Sequence, residues 1–370
     1  SHTAILARNM NIPAVIGVGD EFLPHIENGE TIIVDGFTGE IYVDPDEAVL
    51  NAMMKKQSED IEKKKLLLNL KGKENITIDG TKIDIFANIG GVANIGAALF
   101  NDAGGIGLFR SEFLYLENSD FPVEEQQFAA YKKVLESMAG KKVIIRTMDI
   151  GADKQVDYFN LNKEDNPALG FRAIRICLAR PEIFKTQLRA LYRASVYGQL
   201  SILLPMVIDV SEILRVKELI VQVKAELIKE GRKFADNVKL GAMIETPAAV
   251  MTSDIIAKEV DFFNIGTNDL EQFTFALDRQ NPCYDRVSPK NHRALLRMIK
   301  MVCDNAHANG IKAGICGEIA GDPTLTEIFL ELDVDMLSVV PSRILPLRKA
   351  VRSISLKEPK KAENDLKLFL

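Results

Sequence analysis

The sequence predicts an α/β fold, a (β/α)8 barrel, preceded by a connecting helix and a small N-terminal unit. Two observations carry this. After Ile76, eight short apolar runs alternate with longer amphipathic stretches, the pattern of parallel strands buried on both faces and crossed by helices. Residues able to do chemistry stand at the C-terminal edges of those runs, where barrels of this kind form their sites.

Residues 1–45 read as a helix over SHTAILARNM, a strand over PAVIGV, and two strands around the turn GFTG in TIIVDGFTGEIYVDP. This unit is too small to bury a good core alone, and the chain has no initiator Met, so a fragment or processed chain is expected. From Asp44 to about Glu74 the sequence predicts a solvent-rich connecting helix, with Asp44 as N-cap and Pro45 at the first helical position. Its charge run KKQSEDIEKKK reads as a solvated face. The eight runs are IDIFANI (83–89), GIGLF (105–109), VIIRTM (143–148), SILLPMV (201–207), LGAMI (240–244), FFNIG (262–266), KAGIC (312–316) and DMLSVV (335–340). Helical segments such as VEEQQFAAYKKVLESMAG, VSEILRVKELIVQVKAELIKEG and HRALLRMIKMVCDNAHANG lie between them. A doubly wound open sheet is the rival, but no GxGxxG follows the first run with an acid about twenty residues on.

Composition excludes several classes. A net charge of -6 gives no support for a nucleic-acid partner. No apolar stretch approaches the roughly 20 residues needed to span a bilayer, and no signal peptide opens the chain. Cys177, Cys283, Cys303 and Cys316 are scattered without a CxxC pair, which argues against zinc and a disulfide framework and points to a reducing cytoplasm.

The chemistry concentrates in a few segments. In GTNDLEQFTFALDR, Asn268 can donate to a ligand oxygen, Asp269 can hold a divalent cation, and Arg279 can clamp a carboxylate or phosphate. Glu245 follows the apolar residues of LGAMIETP in the same way. Two acids at successive strand ends near arginines suit Mg2+ or Mn2+ touching a phosphorylated substrate, not Zn2+. Paired surface turns are the plain alternative. Arg110 and Arg146 interrupt apolar sequence, where an arginine is costly unless paired. Each could form a structural ion pair with Glu112 or Asp149. With Lys154, Arg172 and Arg279 they could instead converge on a phosphate. Cys316, in GICGE, is either a buried structural thiol or a proton donor to a carbanion or enolate. His2 stands at a helix start, where an attached phosphoryl group would meet free N–H groups.

These segments resemble enzyme I of the bacterial sugar phosphotransferase system, the phosphoenolpyruvate-protein phosphotransferases. The matching stretches are SHTAILARNMNIPAVIGV, GIGLFRSEFLYL, IIRTMDIGADK, NPALGFRAIRI, LPMV, MIETPAAV, IGTNDLEQFTFALDR and AGICGEIAGDP, in family order. The resemblance implies that 1–45 is a partial phosphohistidine (swivelling) domain, 46–74 a linker helix, and 75–370 a phosphoenolpyruvate-binding TIM barrel that also dimerises. It implies that His2 accepts the phosphoryl group, that Arg110, Arg146 and Arg279 bind phosphoenolpyruvate beside Asn268 and Asp269, and that Lys154 and Arg172 support the phosphate. Glu245 and Asp269 become the Mg2+ ligands, and Cys316 the acid that yields pyruvate. The implied partners are a histidine-containing phosphocarrier protein and a second copy of the chain. The family's carrier-docking region precedes the histidine motif and is expected to be missing here. Glu271 stands where the family usually has Thr. Pyruvate phosphate dikinase and phosphoenolpyruvate synthase share the histidine motif, barrel and CGE segment. A fragment of one of these, or a catalytically silent dimerisation module, is the alternative.

Overall fold

The computed structural model describes residues 7, 12–19, 24, 26–151, 156–278 and 293–357. The chain divides into two compact units, Ser1–Lys71 and Gly72–Leu370.

In the first unit, β1 (Ile32–Asp35) and β2 (Glu40–Val43) form an antiparallel hairpin, as the turn at GFTG predicts. Residues 13–18 form no strand. Gly17 and Gly19 both take φ of +79°, which turns the backbone out of a pleat. Helix α1 (Glu47–Leu68) is capped by Asp46, whose Oδ1 accepts the Val49 N–H at 2.8 Å. The expected cap, Asp44, has φ of +43°, whereas a cap residue takes an extended backbone. No side chain of α1 is buried, as its charge run predicts. Lys56 of α1 pairs with Asp35 of the hairpin and holds that carboxyl down at about 2.

The second unit is the barrel. All eight apolar runs become strands: β3 (Asp84–Ile89), β4 (Ile106–Arg110), β5 (Lys142–Arg146), β6 (Gln199–Leu204), β7 (Lys239–Ile244), β8 (Phe262–Ile265), β9 (Lys312–Ile315) and β10 (Met336–Val339). They close in the order β10-β3-β4-β5-β6-β7-β8-β9, every pair parallel. The helices used below are α2 (Glu124–Ser137), α3 (Pro181–Ala194), α4 (Val210–Lys229), α5 (Thr267–Phe275) and α6 (Arg293–Ala308).

Two cores follow from the period-two alternation of the strands. Val143 and Ile145, Ala242 and Ile244, Phe263 and Ile265, and Ala313 and Ile315 pack outward against the helices. Phe86, Leu108, Ile144, Leu203, Met243, Phe262 and Met336 fill the barrel interior, with Cys316 among them. This parity aims the next inward positions on β4, β5, β7 and β9. Counting in twos gives Arg110 from Leu108, Arg146 from Ile144, Glu245 from Met243 and Cys316 from Gly314. Two asparagines stand in register with this apolar interior, Asn88 beside Leu108 and Asn264 beside Met243. The amide of Asn88 donates to the carbonyls of Cys316 (3.0 Å) and Ser338 (2.9 Å), and that of Asn264 to Gly107 (3.0 Å).

Candidate active site

Because all strands run the same way, their C-terminal ends open on one face. Arg110 and Arg146 end β4 and β5 and are register partners, side by side on adjacent strands. Glu245 follows β7 directly, Gly266 follows β8 before the first turn of α5, and Cys316 follows β9. Arg172 joins them from the long excursion after β5. It is carried by the turn at Ala173, a non-glycine residue at φ +52° whose N–H donates to the Ile150 carbonyl at 2.9 Å.

The mouth is a buried lattice of opposed charge. Arg146 pairs with Glu112 (3.1 Å) and Asp149 (2.9 Å). Arg172 pairs with Asp149 (2.8 Å) and stands 3.7 Å from Asp269. Both structural partners considered for Arg146 therefore engage it together. Burial alone would depress the two guanidiniums, but Asp149 with Glu112 at one, and Asp149 with Asp269 at the other, hold them above their ordinary values. Four carboxylates, Glu112, Asp149, Glu245 and Asp269, thus face two buried guanidiniums, with the exposed Arg110 at the rim.

Glu245 is 1% exposed, and its Oε1 accepts the N–H of Met206 at 2.6 Å. Met206 takes φ of +57°, a left-handed conformation that costs a non-glycine residue about 1–2 kcal/mol. Burial pushes the Glu245 carboxyl up to about 8, and Asp269 and Asp149 add to the rise. Asp269 is also buried, and its Oδ1, 3.7 Å from Nη1 of Arg172, accepts no hydrogen bond among the described residues. Nε of Arg146, Nε of Arg172 and Oγ1 of Thr267 are likewise buried without partners. Buried polar atoms are normally satisfied, so a cluster of exceptions marks a place for a ligand.

Two glycines make room for these side chains. A Cβ on Gly266 would lie 2.7 Å from Oε2 of Glu245, and one on Gly317 would lie 1.8 Å from Oγ1 of Thr267. The glycines of GTND and CGE are therefore spacing requirements of the site. Asn268 accepts the Glu318 N–H through its Oδ1 at 2.9 Å, so its amide nitrogen is the end left to donate. Cys316 is 4% exposed, and burial followed by the charge of Glu245 raises its thiol to about 12. It is a neutral S–H, able to give a proton. Glu271 is half-buried on α5. His2, Lys154 and Arg279 lie outside the described residues.

The donor set suits a hard divalent cation. The Glu245 carboxyl, raised by burial and by neighbouring acids, and the Asp269 Oδ1, with no hydrogen bond and only a 3.7 Å approach from Arg172, both offer oxygen. Among the described residues no three His, Cys, Asp or Glu stand together as a metal-ligating group. Sequence reasoning considered Asp149 only as a structural partner for Arg110 or Arg146, whereas it bridges the two buried arginines, Arg146 and Arg172; its place three residues after Arg146 is the local signal. It did not single out Gln187, whose placement at i+3 from Phe184 in an apolar helix stripe was visible.

A family model described as PEP-utilising enzyme, PEP-binding domain, matches residues 64–356. A second, PEP-utilising enzyme, mobile domain, matches residues 1–39. The phosphoenolpyruvate-protein phosphotransferase of Staphylococcus epidermidis is 44% identical over 358 residues, 97% of this chain and 62% of the relative. That of Priestia megaterium is 45% identical over 355 residues, 96% of this chain and 62% of the relative. The chain thus spans less than two thirds of the length of these relatives. A solved citrate lyase beta subunit from M. tuberculosis, complexed with oxaloacetate and magnesium, aligns at a TM-score of 0.42 and 13% identity, covering 73% of this chain and 97% of that one; so slight a likeness has no bearing on the site.

Proposed function

The chain belongs to the PEP-utilising enzymes, and from that premise we propose that its barrel binds phosphoenolpyruvate with Mg2+ and serves a phosphoenolpyruvate-protein phosphotransferase. The observation that supports this most directly is the group of buried, unsatisfied charged atoms at the mouth: Nε of Arg146, Nε of Arg172 and Oδ1 of Asp269. An anion satisfies the first two, and a cation the third.

In this reading Arg110 and Arg146 hold the phosphate, with Arg172 and Lys154 supporting it. Asn268 and Arg279 hold the carboxylate. Glu245 and Asp269 hold Mg2+, which supplies neutralisation of charge on the transferring phosphoryl group. Arg146 and Arg172 are kept charged and oriented by Glu112 and Asp149 before substrate arrives, so little reorganisation of these two is left for the reaction. Cys316, held neutral, gives its proton to the enolate carbon, and pyruvate leaves. His2, in the segment matching the mobile domain, accepts the phosphoryl group and passes it to a phosphocarrier protein for sugar uptake. Residues 1–45 then act as a partial phosphohistidine domain, 46–74 as its linker, and 75–370 as the substrate-binding and dimerising barrel. No helix among the described residues is long and apolar enough to cross a membrane, in keeping with work in the cytoplasm. Calorimetry of phosphoenolpyruvate against the chain, with and without Mg2+, tests the reading. Binding that requires the metal supports it; no binding under either condition removes it.

A further inference from the structure

We propose that Gln187 is a positioning residue for the anion-binding arginines, acting from the helix layer outside the barrel. The proposal rests on the phosphate role given above to Arg110 and Arg146. Gln187 lies on α3, fully buried, among Phe184, Leu188 and Leu191. An apolar side chain would suit that helix face, and an amide there is costly unless its donors and acceptor are engaged. They are. Its Nε2 donates to Oγ of Ser111 (3.1 Å) and to the hydroxyl of Tyr131 (3.0 Å), and its Oε1 accepts the Met148 N–H (3.0 Å).

These partners bracket the arginines. Ser111 follows Arg110 directly, and its hydroxyl donates to the Arg146 carbonyl at 2.8 Å. Met148 is two residues beyond Arg146. The amide of Gln187 therefore reaches the hydroxyl of the residue after Arg110 and the backbone N–H two residues after Arg146, where the two strands end. A second tie lies beside it, from the Asp149 N–H to Glu112 at 3.1 Å. On its far side the network runs away from the mouth, through Tyr131 to Gln127 (3.1 Å) and on to the Pro122 carbonyl (3.0 Å). A fully satisfied buried network of this kind fixes one geometry. Ligand binding through charged forks is sensitive to displacements of about 1 Å, so slack here is transmitted to the arginines.

The test uses the full chain and three variants. Gln187→Met keeps the volume and removes the amide. Ser111→Ala removes the hydroxyl that touches Arg146. Tyr131→Phe removes a hydroxyl of the same network on the side away from the mouth. Phosphoenolpyruvate affinity with Mg2+ is measured by calorimetry at a temperature where thermal unfolding shows every variant folded. Amide hydrogen exchange is followed over residues 143–151 and, as a control, over β7. Gln187→Met and Ser111→Ala are expected to weaken binding by about tenfold, equal to about 1.4 kcal/mol, and to speed exchange over 143–151 alone. Tyr131→Phe is expected to lose stability while affinity stays within about twofold, which a merely structural role for the network would not separate. If Gln187→Met does not fold, Ser111→Ala and Tyr131→Phe carry the comparison. Wild-type affinity in a folded Gln187→Met or in Ser111→Ala, or equal losses in Ser111→Ala and Tyr131→Phe, overturns the positioning role. Wild-type protein that fails to bind phosphoenolpyruvate overturns the functional reading itself, whatever the exchange data show.

Discussion

Replacing Glu245 by Gln should make the metal-free chain more stable and at the same time end its Mg2+-dependent binding of phosphoenolpyruvate. The side chain is buried against Asp269 and Asp149, and its carboxyl is raised from an ordinary 4.5 to about 8. At about 1.4 kcal/mol for each tenfold in proton affinity, that rise sets a ceiling of about 5 kcal/mol. The sign follows from linkage. The folded chain keeps a proton on Glu245 that the unfolded chain releases near 4.5, so the stabilisation is complete below that pH and is lost as pH rises through about 8. Between about pH 5 and pH 7 the wild type should therefore lose about 2–3 kcal/mol, and a further 1–2 kcal/mol by about pH 9, that Glu245→Gln does not lose. Gln keeps an oxygen to accept the Met206 N–H, so no buried donor is orphaned. Thermal unfolding in a chelating buffer across this range reads the difference as several degrees that widen with pH. Calorimetry on the same samples reads the loss of metal-dependent binding. Parallel pH profiles for the two proteins would refute the buried-acid argument. Undiminished Mg2+-dependent binding in the variant would refute the ligand role.

Asp269→Asn should also lose Mg2+-dependent phosphoenolpyruvate binding while keeping the fold, because it keeps the shape and removes the charge; calorimetry with unchanged affinity contradicts this. Cys316→Ala should slow pyruvate release by about a hundredfold or more with little change in substrate affinity, since a proton donor acts on the enolate and not on the ground state. Steady-state kinetics at wild-type level would make the thiol structural. Residues 72–370 expressed alone should fold and bind phosphoenolpyruvate, because every proposed ligand in the barrel is in that unit; an unfolded product by circular dichroism counts against the boundary. His2 should carry an acid-labile, base-stable phosphoryl group after incubation with phosphoenolpyruvate and Mg2+, and mass spectrometry finding label only on another histidine would overturn that assignment.

What the sequence determined by itself was whatever is periodic or local. Strands buried on both faces must be apolar throughout, so all eight runs were legible, as were helices such as α2, α4 and α6, and the end of each run located Arg110, Arg146, Glu245 and Cys316. Short-range conformation was less secure: one acid competed with another for the cap of α1, and Gly17 and Gly19 undid an apolar stretch that looked like a strand. What only the tertiary structure decided was pairing across distance. Whether Arg146 meets an acid or a ligand depends on Glu112, 34 positions away in the chain, arriving beside it through the neighbouring strand end, and the structure shows it held by Glu112 and Asp149 together. Arg172 reaches the same lattice from a loop, by a left-handed turn at Ala173 that no periodicity announces. The amide of Gln187 lies in a helix stripe that reads as apolar, yet it meets Ser111 from 76 residues away. Burial and charge at the mouth are properties of the closed barrel: they arise because parallel strands place their ends on one face, and no segment carries them before the ring is shut.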